Sequence, residues 1–202
     1  MLEARWLKLM ASLGFSDNQE TFYLIMDAYS EKGRNYHSVN HLLSVLECLD
    51  RTAYLAENSD EVEIALWFHD AVYKPFSGSN EVDSANWALG FLQKNGVSKR
   101  IQKRVFNLVM VTAHVSCPRS IDEKLIVDID LSVLGQANAV YKEFSKGVRQ
   151  EYRKVPSYIY RRKRKEVLLS FLRRKRIYSF EQFIEMYEAS ARENIANEIE
   201  SL

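Results

Sequence analysis

Two cysteines, seven glycines and three prolines leave a chain of 202 residues almost without staples, flexible turns or helix breakers. Cys48 and Cys117 lie far apart, lack the close spacing of a metal knuckle, and are fewer than a stapled secreted domain carries, so the expected setting is reduced and cytoplasmic, with no disulfide. So little glycine and proline disfavours a turn-rich sandwich or barrel and favours long helices joined by short connections, an all-α fold. No run approaches the roughly 18 apolar residues of a membrane span. Glu3 and Arg5 interrupt the first turn, so neither a signal peptide nor a membrane segment is expected. One sign of charge is missing as well: 28 basic residues face 27 acidic ones, and the net charge of +1 provides no bulk attraction for nucleic acid or an anionic membrane.

What is present is apolar periodicity at helical spacing. With 47% hydrophobic residues the chain is long enough for one core, and a single domain over 1–202 is expected. Leu2, Trp6, Leu9, Met10 and Leu13 form one stripe ahead of Gly14; Phe22, Ile25, Met26 and Tyr29 form a second, with Asp17 and Glu20 in capping-box register. Ser38 starts a third helix to about Ala56. Asp60 and Glu63 open a fourth that runs to Pro75, and Glu81 to about Lys94 make a fifth. Ser98 begins a sixth that ends near His114. The stretch 121–134 alternates like a strand, but no partner strand exists elsewhere and Gly135 sits at a helix stop, so it reads as a helix. Residues 137–155, 157–174 and a last segment capped by Ser179 and Gln182 complete the set. The resulting division has a core at about 34–135, with helices 137–199 packing on it.

The stretch from Ile64 to Tyr73 would bury almost all round, yet it contains His69 and Asp70 side by side. An uncompensated carboxylate and polar ring cost several kcal/mol, roughly, to bury, so the pair demands a hydrogen-bonding, ionic or metal partner. The chain has four histidines, His37, His41, His69 and His114, and each falls at or near a helix end, where side chains converge. Asp70, Asp128 and Asp130 supply carboxylates beside them. Imidazole nitrogens and carboxylate oxygens are the usual donors for divalent metals, and a mixed set leaves coordination positions open.

His41, then His69-Asp70 in a hydrophobic segment, then Asp130 in Asp-Ile-Asp-Leu-Ser-Val-Leu-Gly resembles the H…HD…D pattern of the HD-domain superfamily of metal-dependent phosphohydrolases. More narrowly, Tyr36-His37-Ser38-Val39-Asn40-His41, Phe68-His69-Asp70-Ala71-Val72-Tyr73, Asn80-Glu81-Val82-Asp83-Ser84-Ala85 and Phe171-Leu172-Arg173-Arg174 are similar to a bacterial subgroup of that superfamily. The resemblance implies that His41, His69, Asp70 and Asp130 hold one divalent ion: Mn, Mg, Co, Ni, Fe or Zn, which the sequence does not distinguish. Asp128 would assist from behind the ligands. Glu81 resembles the position of an acidic general base, beside the plainer reading of a charge favourable to a helix N-terminus. His37 and His114 are candidates to bind substrate phosphate, and the lack of an adjacent His-His pair argues for one metal rather than two.

Nine basic residues crowd the two runs Arg161–Lys165 and Arg173–Arg176. Such runs are usually solvated helix faces, and without stacking aromatics the strip is a weak case for RNA. Tyr158 and Arg161 are instead candidates to clamp the phosphates of a nucleotide. The reading that follows is a hydrolase of a small phosphorylated compound, a nucleotide among the possibilities. Its rivals are a regulatory HD-type module without turnover and, third, a basic RNA-binding helical protein. Oligomeric state is left open.

Overall fold

The N-terminal segment becomes a helix because Trp6, Leu9 and Met10 recur on one face, and that face is buried in α1 (Leu2–Ser12). The computed structural model describes residues 1–202; it is 71% helix with no strand, as the all-α expectation requires. After α1 come α2 (Gln19–Tyr29), α3 (Val39–Thr52), α4 (Ser59–Phe68), α5 (Asn80–Lys94), α6 (Lys99–Val111) and α7 (Ile121–Asp130). These are followed by a 3₁₀ turn at Leu131–Gly135, α8 (Asn138–Glu151), α9 (Ser157–Leu172), α10 (Glu181–Phe183), a π-helical turn at Ile184–Glu188 and α11 (Ala189–Ser201). The chain divides into two compact units, Met1–Val127 and Asp128–Leu202, and the division runs through α7.

In the first unit α4 is the central helix. Val62, Ile64, Ala65, Leu66, Trp67 and Phe68 are all at most 1% exposed, so the segment is buried all round, as its sequence requires. Trp67 meets Trp6 edge-on at 5.3 Å and Phe22 at 6.1 Å, and Phe68 lies 5.5 Å from Phe91 of α5. Each such side chain contributes about 1.5–3 kcal/mol through burial. Asp122, in the first turn of α7, accepts the Glu57 amide at 2.7 Å and the Asn58 side-chain amide at 2.9 Å. That contact ties the start of α7 to the start of α4.

Several helix ends differ from expectation, each for a visible reason. α4 stops at Phe68 rather than Pro75, because the His69 ring, the Ala71 amide and the Arg34 guanidinium satisfy the carbonyls of Leu66, Phe68, Asp70 and Ala71. Asp17 does not cap α2; Asn18 occupies the cap position in the left-handed region (φ 46°), and its side chain bonds to Asn95 at 3.0 Å. Ser38 is the residue before α3, but its side chain makes no capping bond.

In the second unit the 3₁₀ turn lies against α11 and the π-helical turn. A Cβ added to Gly135 would fall 2.6 Å from the Tyr187 carbonyl oxygen. Gly135 is therefore required by close approach, and its φ is not positive, so the helix-stop reading gave the right residue for another reason. Asn194 ties the same turn down by donating to the carbonyls of Leu134 and Gln136 at 3.0 and 2.9 Å. The segment before α10 is not capped by Ser179: Asp128 accepts the Ser179 amide at 2.8 Å and the Phe180 amide at 2.8 Å. Arg164 of α9 and Glu198 of α11 form a buried ion pair at 2.8 Å, and the Tyr141 hydroxyl donates to the same carboxylate at 2.5 Å.

Candidate metal centre

His41 occupies the first turn of α3, and His69 is the first residue beyond the C-terminus of α4; both are at least 95% buried. Their Nε2 atoms stand 3.0 Å apart. One Asp70 oxygen, Oδ2, lies 3.1 Å from His69 Nε2 and 3.4 Å from His41 Nε2. Asp130 is the last residue of α7 and belongs to the second unit. His41, His69 and Asp70, three of the four expected ligands, are thus brought together in the first unit.

The protonation pattern follows from the neighbours. His69 Nδ1 is 2.7 Å from the Leu66 carbonyl, which only accepts, so Nδ1 carries a hydrogen. In the neutral ring Nε2 is then a bare lone pair, and it points at the lone pairs of Asp70 and at a second imidazole nitrogen. Such an arrangement is repulsive until a cation occupies the common focus. A second proton on an imidazole satisfies it in part; a divalent ion satisfies it more fully, because it accepts the lone pairs of both imidazoles and of the Asp70 carboxylate at once. Burial acts to raise the Asp70 carboxyl, but the charges of His69 and His37 and hydrogen bonds from His41 and His69 hold it well below the usual carboxylate range. The donor set therefore fits a divalent ion of the imidazole- and oxygen-binding kind.

Sequence reasoning missed two residues that set this geometry. Arg34, in the loop after α2, is only 3% exposed at its side chain. It donates to the His37 carbonyl at 3.2 Å, the Asp70 carbonyl at 2.5 Å and the Ala71 carbonyl at 2.8 Å, and its guanidinium lies 5.3 Å from the Tyr29 ring and 5.7 Å from the Tyr73 ring. It clamps the loop that carries His37 to the turn that carries Asp70. Tyr29, read only as core, accepts the Asp70 amide at 3.2 Å, and burial pushes its phenol well up, so it stays neutral. The only available signal was an arginine isolated in a short Gly-Arg-Asn loop ahead of Tyr36-His37.

The other candidates separate. His37 stacks on Tyr73 at 4.1 Å with its ring 6.0 Å from that of His41, so it stands at the edge of the centre. Glu81 is in the first turn of α5, half-buried, and makes no hydrogen bond or ion pair. Asp128 was expected to support the metal ligands; its oxygens are instead engaged by the Ser179 and Phe180 amides, and burial pushes its carboxyl up to about 7 against those donors. Its shown role is to anchor the segment before α10. His114 follows α6 in a left-handed conformation (φ 56°) and is outside the group of converging ligand atoms. Tyr158, 75% exposed, and Arg161 stand on α9 of the second unit. Compared with protein-family models, with curated proteins and with solved structures, the chain gives no match.

Proposed function

We propose that the protein is a metal-dependent phosphohydrolase of the HD type that acts on a small phosphorylated compound, with His41, His69, Asp70 and Asp130 as ligands of one divalent ion. The observation that carries this reading is the convergence of two buried imidazoles and the Asp70 carboxylate, with His69 Nδ1–H committed to the Leu66 carbonyl so that Nε2 faces inward as a lone pair. A bound divalent ion supplies Lewis acidity toward a phosphoryl oxygen and toward the attacking water. The residues around it do the rest. Arg34 holds the Asp70 turn and the His37 loop in one register, so the ligands are presented without reorganisation. His37, held flat against Tyr73, is positioned to hydrogen-bond a phosphoryl oxygen. Glu81, a carboxylate with no partner, is the group proposed to take the proton of the attacking water.

The test is elemental analysis followed by hydrolysis assays on nucleotides, cyclic nucleotides and sugar phosphates with manganese, magnesium, cobalt or nickel. About one metal per chain is expected. Asp130→Asn should lose nearly all activity, and Glu81→Gln should fall by about 10²- to 10⁴-fold. A wild type that neither carries nor takes up metal refutes the centre. A metal-loaded wild type that turns over nothing in the panel refutes hydrolysis and leaves a regulatory module.

A further inference from the structure

One cavity is lined by none of the metal-centre residues. About 270 Å³ in volume, it lies wholly in the second unit, among α8, α9 and the last turn of α11. We propose that this cavity is a second anion site, which takes a small phosphorylated molecule independently of the His/Asp cluster. Three cationic side chains line it, Lys146, Arg149 and Arg161, against one acidic side chain, Glu198.

The charges are not balanced from within. Both Glu198 oxygens are engaged by Arg164, at 2.8 and 3.1 Å, and one of them also by the Tyr141 hydroxyl, so the Glu198 charge is already offset by a cation outside the cavity lining. Arg149 has no acidic partner at all. Its guanidinium is held by neutral acceptors, the Tyr152 carbonyl at 2.6 Å, the Val155 carbonyl at 3.3 Å and Ser157 Oγ at 3.4 Å, and it lies 4.6 Å above the centre of the Tyr160 ring. A guanidinium fixed in this way is a preorganised positive charge that loses little entropy when an anion arrives. Arg161, one helical turn beyond Ser157 on α9, is exposed and makes no ion pair. Lys146 is bonded only to Glu143 at 2.7 Å, with both side chains at least 70% exposed, a pairing that solvent screens and a stronger anion displaces. A fixed fork, a free fork and a mobile ammonium around one cavity match the several oxygens and multiple charge of a phosphate group better than a single carboxylate. The basic run beginning at Arg161 so acquires a role for its first member, while Lys163, two residues on, pairs outward with Glu166.

Pyrophosphate titrated calorimetrically into the full chain in EDTA and low salt tests the proposal. Saturable binding is expected, weakened about tenfold or more by Arg161→Ala and again by Lys146→Ala, and unchanged by His69→Ala. Arg161 and Lys146 are exposed, so their removal leaves the fold intact. No saturable binding to the wild type overturns the site, and so does an affinity that survives both substitutions. Loss of binding in His69→Ala instead would assign the anion to the His/Asp cluster and overturn it equally. Neither result touches the metal-uptake test, which is read without pyrophosphate.

Discussion

Replacing Arg34 tests whether the metal centre is preorganised by a clamp made of backbone carbonyls. Arg34→Ala removes three charge-assisted hydrogen bonds, to His37, Asp70 and Ala71, and two ring contacts. Bonds from a charged donor contribute about 1.5–3 kcal/mol each. The three are not additive, because water can enter the space vacated and solvate part of the freed carbonyls. A net destabilisation of about 3–5 kcal/mol follows, a large share of the ~5–15 kcal/mol that holds a domain together. Arg34→Lys keeps the charge but offers one compact ammonium where a fork spans carbonyls on two segments, so about half of that loss is expected. Urea unfolding followed by circular dichroism measures the stability of both variants, and calorimetric manganese titration measures the site. Metal affinity should fall by about 10- to 100-fold in Arg34→Lys, as it does when groups supporting a ligand are removed. An Arg34→Ala protein within about 0.5 kcal/mol of wild type, the range of an ordinary surface substitution, would refute the clamp.

Two further outcomes are expected. Gly135→Ala forces a methyl into the backbone of Tyr187, so it should cost at least about 1–3 kcal/mol and disturb the cluster of Tyr178, Phe183 and Tyr187 rings; a thermal midpoint equal to wild type would contradict the close approach. Asp70 titrates well below its ordinary value of 3.8, so its stabilising contribution is fully present above that value and is lost as pH falls through the lower, folded-state one. The stability gap between wild type and Asp70→Asn, measured by urea unfolding in EDTA from about pH 5 downward, where the imidazoles that hold the carboxyl down are charged, should close below about pH 4; a gap that widens toward acid would reverse the assigned sign.

The helical architecture and the identity of the central helix are legible in the order of the residues alone. Apolar spacing in α1, α3 and α5 and the unbroken apolar stretch Ile64–Phe68 that ends α4 leave few ways to bury the chain, because a helical turn that is apolar on every side must be surrounded. The residues of the candidate centre were legible for a related reason: an imidazole and a carboxylate within that stretch demand a partner. Tertiary structure alone decided how the demand is met. Arg34 and Tyr29 hold the centre through backbone groups of Asp70 and Ala71, and backbone acceptors leave no trace in the amino-acid pattern. Asp128 and Asp130 are two residues apart in Asp-Ile-Asp, yet helical geometry sends neighbours two apart to different faces, so Asp128 anchors the Ser179–Phe180 amides while Asp130 stands on another side of α7. The end of α4 was likewise hidden, because what stops it after Phe68 is a guanidinium arriving from another loop, and Pro75 comes too late to matter.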